Sequence, residues 1–409
     1  MYADSFVDRG PGLFHGPRNE MKKLLVLLLI ALVAFVGYAL FWPGEFMPQP
    51  WTPAPAQTGA APVKSAPLNQ AQRLAENVAN GPEDVAIDDQ GRLYAGYDDG
   101  TIRRFDENGT NGEVFATTNG RPLGLAFTRG PVEPESNAAQ NGRPAEDPAD
   151  TNADGEPAQV LIVADAQRGL LAINTQGDIK MLASGANDTP FAFTDDVDVA
   201  SDGSIYFTDA SSKYGQHNYR ADILEHGGHG RLMKYDPATG DVTVLLGGLQ
   251  FANGVAVSGD DAFVLVTETG SYRVLRYWLT GDNAGQSDVF IDRLPGFPDG
   301  ISYSDDSDTF WLALFAPRNE MLDFAADKPW LRRIIFRLPE AVQPAPAHVG
   351  RLLGLNAEGA VVTDLQDTDP SAFAPITSVE QSGNQLYLGS LTASAFARIP
   401  VPERNEDDP

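Results

Sequence analysis

Between about residues 73 and 401 the apolar residues come in short runs that alternate with polar ones, and each run ends in a turn of Asp, Gly, Ser or Asn. A period of two marks a strand with one buried face, and little of this stretch carries the longer period of a helix. Val85-Ala86-Ile87 runs into Asp89-Gln90-Gly91, and Val197-Asp198-Val199 into Ser201-Asp202-Gly203. Val255-Ala256-Val257 runs into Gly259-Asp260-Asp261, and Ile301-Ser302-Tyr303 into Asp305-Asp306. Second strands follow at Leu93-Tyr94-Ala95, Ile205-Tyr206-Phe207, Phe263-Val264-Leu265-Val266, Phe310-Trp311-Leu312 and Leu386-Tyr387-Leu388. The unit restarts near Glu83, Leu123, Asp195, Asn253, Asp299 and Ser378, roughly every 60 residues, the length of a four-stranded blade with its loops. The pattern predicts an all-β fold, a six-bladed β-propeller over residues 73–402, with residues 73–79 supplying the outer strand that closes the ring.

A different pattern precedes it. Residues 24–42 form an apolar run of 19 residues without a charge, behind Lys22 and Lys23. As a helix this run reaches roughly 28 Å, close to the thickness of a bilayer's hydrocarbon core. It reads as a transmembrane signal anchor, although Gly37 and Ala39 leave signal cleavage open. The flanking lysines put the tail, residues 1–23, in the cytoplasm and the propeller in the periplasm or outside the cell. Residues 43–72, rich in Pro and Ala, read as an extended linker holding the domain off the membrane. Residues 130–159 carry seven acidic residues and one basic, with no apolar face, and are expected to be a disordered insertion. A calcium-loop-like pattern at 150–155 lacks the glutamate expected at its twelfth position, which is Leu161. Residues 403–409 are an acidic tail.

Charge and composition narrow the partners. Lys and Arg total 29 against 56 Asp and Glu, a net charge of −27, which disfavours nucleic acid. The absence of cysteine removes disulfides, thiolate nucleophiles and Cys-type zinc sites.

Candidate chemistry lies just before the first strands. Gly81-Pro82-Glu83-Asp84, Thr194-Asp195-Asp196, Ala252-Asn253-Gly254 and Pro298-Asp299-Gly300 place an oxygen-bearing side chain at one phase of the repeat. In a closed ring such residues converge, and Glu83, Asp195, Asn253 and Asp299 together make a hard-cation site, with Ca2+ the expected cofactor. Asx-Gly turn chemistry explains one such group alone; four in phase, including a glutamate, favour metal. Asp84 and Asp196, each beside a proposed ligand, are candidate proton acceptors, although strand-start turn stabilisers are an equal reading. His226, clustered with His217 and His229, is a candidate proton shuttle. Phe191, Phe193, Phe251, Phe297 and Phe315 fall near the blade tops and are candidates for an apolar entrance. There is no Gly-x-Ser-x-Gly elbow.

Several long motifs resemble the strictosidine synthase-like family in their order. They include Tyr206-Phe207-Thr208-Asp209-Ala210-Ser211-Ser212-Lys213-Tyr214, Gly230-Arg231-Leu232-Met233-Lys234-Tyr235-Asp236, Phe251-Ala252-Asn253-Gly254 and Leu294-Pro295-Gly296-Phe297-Pro298-Asp299. The single apolar N-terminal segment looks like the membrane-tethered, adipocyte plasma membrane-associated protein-like branch. The wider group includes paraoxonases and gluconolactonase-like propellers, whose hydrolytic members carry central calcium. The resemblance implies the same four ligands, with Asp195 standing where the paraoxonase-like pattern has asparagine. The catalytic glutamate of the alkaloid-forming synthases has no counterpart before Glu320, and the paraoxonase-like histidine is replaced by Arg121-Pro122-Leu123. The expected activity is calcium-dependent hydrolysis of small-molecule esters or lactones. The alternatives are a non-catalytic binding module with structural calcium and, if Glu320 reaches the channel, an amine–aldehyde condensing synthase.

Overall fold

A computed structural model describes residues 17–41, 44–57, 63–64, 67–130, 132 and 158–402. The interior of the expected insertion, the calcium-loop-like pattern at 150–155 and the tail 403–409 lie outside the described residues, as does most of the N-terminal tail. Six antiparallel four-stranded blades follow in order. Blade 1 runs from Val85–Ile87 through Leu93–Gly96 and Thr101–Phe105 to Glu113–Thr117. Blade 2 starts at Pro122–Arg129, blade 3 at Thr194–Val199, blade 4 at Ala252–Val257 and blade 5 at Gly296–Ser304. Blade 6 is made of Val379–Ser382, Gln385–Leu388, Phe396–Pro400 and, as its outermost strand, Gln72–Leu74 from the beginning of the domain. The ring is thus closed at the beginning of the stretch expected to close it, by Gln72–Leu74 rather than by residues 73–79. The short strand Val63–Lys64 adds in parallel to the outer edge of blade 5.

The strands carry bulky apolar residues on both faces because each blade is sandwiched between two others. Phe207 and Met233 of blade 3 pack with Ile162 and Leu170 of blade 2 in one cluster, all fully buried. Truncating a ring such as Phe207 to alanine in a site like this costs about 3–5 kcal/mol.

Four α-helices complete the described residues: α1 (Pro17–Phe41), α2 (Tyr219–Glu225), α3 (Glu320–Ala325) and α4 (Pro329–Phe336). The last three are short and cover one end of the propeller. Asn319 caps α3 by accepting the N–H groups of Met321 and Leu322, and Pro329 begins α4 at its first turn. Within α1, Glu20–Phe41 is long and apolar enough to cross a membrane.

The segment after α1 differs from the expected free linker. Residues 44–57 lie against the domain as a strap, with Gln49 N–H donating to Glu225 O at 2.8 Å and Gln57 N–H to Arg293 O at 2.8 Å. Phe46 stacks on Phe336 at 4.1 Å and Trp51 on His226 at 4.3 Å. Proline and alanine deny this segment its own secondary structure, but its aromatic side chains and free backbone groups find partners on the lid.

Candidate metal centre

The proposed ligands of blades 3, 4 and 5 owe their direction to an irregularity in the first strand of the blade, whereas Glu83 directly precedes the regular first strand Val85–Ile87 of blade 1. In blade 3 the pairing jumps from Thr194↔Asp209 to Val197↔Phe207, and in blade 4 from Ala252↔Glu268 to Val255↔Val266. Blades 2 and 5 break at the equivalent places, around Leu123-Gly124 and Asp299-Gly300. In each case two residues oppose one, a β-bulge, and its residues are released from the pleat and aimed at the ring's axis. The adjoining blades leave no room there for larger residues. A Cβ on Gly254 would lie 2.5 Å from Asp299 O, and one on Gly124 would lie 2.3 Å from Asp196 Oδ1.

These strand starts are pinned from blade to blade. Thr208 Oγ1 donates to Asn253 O at 2.6 Å, Thr267 Oγ1 to Asp299 O at 2.8 Å and Thr377 Oγ1 to Glu83 O at 2.8 Å. Asp84 Oδ2 accepts from Leu125 N–H at 2.9 Å, and Asp196 Oδ2 accepts from Val255 N–H at 2.9 Å.

Glu83, Asp195, Asn253 and Asp299 meet at mid-channel, where the first three border two cavities at once and Asp299 borders the upper one. Above them lies a largely apolar cavity of about 420 Å³, with Leu123, Phe193, Phe251, Phe297 and Phe315 in its wall and α2, α3 and α4 around it. Below lies an acidic channel of about 270 Å³ that includes Asp84, Asp196, Asp198 and Glu380. Burial raises the proton affinity of the tetrad's carboxyl groups, and their neighbours add to it. Glu83 is pushed well above the usual carboxylate range by desolvation and then by Asp299. Asp195 is raised by desolvation and then by Glu83 and Asp299. Desolvation carries Asp299 up to about 8 despite its hydrogen bond with Asn253.

As they stand, no three His, Cys, Asp or Glu side chains among the described residues are drawn into one coordination sphere. The donor set nevertheless fits a hard cation. All four side chains offer oxygen, and Glu83 Oε2 and Asp195 Oδ2 are buried without a hydrogen-bond partner. Two desolvated, unbonded carboxylate oxygens are costly unless a proton or a cation satisfies them.

The other expected site residues fall elsewhere. Asp84 and Asp196 line only the lower channel, and their oxygens are taken by the next blade's backbone, so the strand-stabiliser reading describes them better than that of proton acceptors to the upper cavity. His226 is also outside that cavity's wall. It ends α2 in a left-handed conformation, stacks on Trp51, and is held neutral, down to about 3, by burial and then by Arg332 and Arg273. His217, at the rim, is instead in the cavity wall. Phe191 packs against Phe207 and under Arg231 rather than at the entrance. Glu320, at the exposed start of α3, does not border the cavity. Sequence reasoning missed Thr377 as the sixth ring position and the lid residues Tyr219, Leu322, Arg318 and Ile335. The one available signal was Asn319-Glu320 and Pro329, a helix cap and a helix-start proline.

Comparison with known proteins agrees with this architecture. The family model for strictosidine synthase matches residues 195–282, and that for the strictosidine synthase-like N-terminal region matches residues 65–105. Adipocyte plasma membrane-associated protein from Rattus norvegicus is 34% identical over 348 residues, covering 82% of this chain and 87% of the relative. Strictosidine synthase-like protein 10 from Arabidopsis thaliana is 35% identical over 342 residues, covering 76% and 83%. Among solved structures, a gluconolactonase from Xanthomonas campestris superposes with a TM-score of 0.54 at 16% identity, covering 87% of this chain and 99% of that one. The calcium-binding protein regucalcin from Agrobacterium tumefaciens gives a TM-score of 0.51 at 13% identity, covering 82% and 96%. At such identities these structures speak for the fold, whereas the sequence relatives speak for descent: the chain belongs to the strictosidine synthase-like family.

Proposed function

We propose that the protein is a membrane-anchored, calcium-dependent hydrolase of esters or lactones, with Glu83, Asp195, Asn253 and Asp299 holding the ion. One observation carries this reading: a buried oxygen tetrad with two unsatisfied carboxylate atoms forms the floor of an apolar cavity. The propeller likeness to a gluconolactonase and to a calcium-binding protein supports it. Calcium bound there supplies Lewis-acid polarisation of a carbonyl oxygen. The phenylalanine wall binds the acyl or aryl part and excludes bulk water. Asn253 orients Asp299 through their hydrogen bond. Hydrolysis adds water across the C–O bond, so a proton must leave the attacking water and reach the departing oxygen; we assign its transfer to Asp195, whose Oδ2 has no hydrogen-bond partner. Lys22 and Lys23 before the apolar helix support an N-terminus in the cytoplasm and a propeller on the opposite side of the membrane.

The test is turnover of a panel of aryl esters and lactones by the full chain in detergent, with calcium, with chelator, and with Asn253→Ala or Asp299→Ala. Activity lost on chelation and in both folded variants supports the proposal. Absence of turnover, with calcium raising only the melting temperature, replaces it with the reading of a binding module around a structural ion.

A further inference from the structure

The face that carries the upper cavity is also the face from which the apolar helix departs. Arg337, just after α4, donates from Nη1 to Tyr38 O of α1 at 2.8 Å, and its guanidinium lies 4.9 Å from the Tyr38 ring. Ala39 is 1% exposed, whereas Leu27 and Val33, earlier in α1, are 63% and 64% exposed. The helix is therefore covered only in its last turns, by the lid, and is bare along the rest of its length. No spacer separates the two, because the chain beyond α1 turns back and is strapped across the lid. Gln49 O and Ala326 O both accept from the buried Arg332 of α4.

The lid's outward surface has the composition of a membrane interface. Met321 and Phe324 of α3 and Trp330 of α4 are 55%, 63% and 54% exposed, and Val342 is 63% exposed. Their neighbours Leu322 and Gln343 line the cavity, so these apolar groups surround its rim. Apart from the buried Arg332, residues 318–337 contain four basic residues (Arg318, Lys328, Arg333, Arg337) against three acidic ones, in a chain whose net charge is −27. Exposed aromatic and aliphatic side chains with interspersed cations suit lipid headgroups and the acyl boundary beneath them.

We infer that the lid lies on the bilayer that holds α1, with Met321, Phe324 and Trp330 in the lipid interface and the cavity opening onto it. The occupant of this apolar face is the membrane, and the cavity takes amphiphiles that partition there, an apolar chain entering between the phenylalanines. This rests on the proposal that α1 is a membrane anchor, and the two can be tested apart. Because the chain has no cysteine, single labels can be placed cleanly. An environment-sensitive nitrobenzoxadiazole dye would be attached to the full chain at Phe324→Cys or Met321→Cys on the lid. Comparison sites would be Leu29→Cys in α1 and Gln90→Cys in a blade turn at the other end of the channel. All would be reconstituted in phosphatidylcholine–phosphatidylglycerol vesicles.

The inference predicts blue-shifted emission at both lid sites, quenched by lipids spin-labelled near the headgroup. Leu29 should be quenched from deeper in the bilayer, and Gln90 should remain water-like. Quenching at Leu29 with water-like lid sites would overturn the inference and leave the anchor standing. Lid sites shielded from water but insensitive to lipid quenchers would also overturn it, assigning the face to a protein partner or a second copy. A water-like Leu29 would remove the anchor and the inference together.

Discussion

Asp196 of blade 3 accepts the backbone N–H of Val255 in blade 4 at 2.9 Å. The residue beside a candidate metal ligand is therefore a fastening between blades. Asp196→Ala is predicted to leave that N–H unsatisfied and to lower unfolding stability by about 1–3 kcal/mol. Denaturant melts should show the loss, while turnover per folded molecule should hardly change. A large fall in kcat at full folding would return Asp196 to the chemistry.

Asp198 makes the same kind of bond to Val257 N–H at 2.7 Å, and burial pushes it up to about 6 from an ordinary 3.8. A carboxyl with a raised folded pKa binds its proton more tightly in the native state. Its contribution to stability is thus fully present below about pH 4 and lost as pH rises to about 6. Asp198→Asn is predicted to stabilise the protein at pH 7, by at most about 3 kcal/mol, with the gain vanishing near pH 4. Urea melts of both proteins from pH 4 to 8 would check the slope as well as the sign.

Glu225 is the hub of the strap. Met47 N–H reaches it at 2.9 Å, Lys213 Nζ at 2.6 Å and His229 Nε2 at 2.9 Å, and Tyr214 also hydrogen-bonds it. Burial works against its ionisation, but these hydrogen bonds prevail and hold it down at about 2. Glu225→Gln is predicted to loosen residues 44–57, speeding hydrogen exchange at the amides of Gln49 and Trp51. The propeller strands should keep their protection.

The candidate ring was legible because the start of each first strand recurs at one phase of the repeat, and in blades 2 to 5 a bulge there demands a recognisable pattern, often with a glycine, before a short apolar strand. What the pattern could not convey was direction. Glu83 and Asp84 are adjacent in sequence, yet only Glu83 borders the upper cavity, because Asp84 turns to the Leu125 amide of the next blade. His226 and His217 lie in one glycine-rich loop region, and only the short helix between them decides which meets the cavity. The lid helices, of six to eight residues, are too short to declare themselves by periodicity. The strap reads as a tether because its contacts run largely through backbone groups, Gln49 and Trp51 among them, which composition does not reveal.

Asp195 distinguishes this chain from the paraoxonase-like pattern, and asparagine there separates two roles. Asp195→Asn keeps an oxygen ligand but removes a proton acceptor. It is predicted to bind calcium still and to lose about 10²–10⁴-fold in kcat. Wild-type turnover in a variant that binds calcium would exclude Asp195 from proton transfer.

The central claim is that the tetrad is a calcium site, and isothermal titration calorimetry of the full chain in detergent tests it most directly. The account predicts one saturable calcium-binding event, abolished by Asp299→Ala and by Glu83→Gln in proteins that remain folded. No calcium binding to the wild-type chain, or binding that both variants leave unchanged, would contradict it.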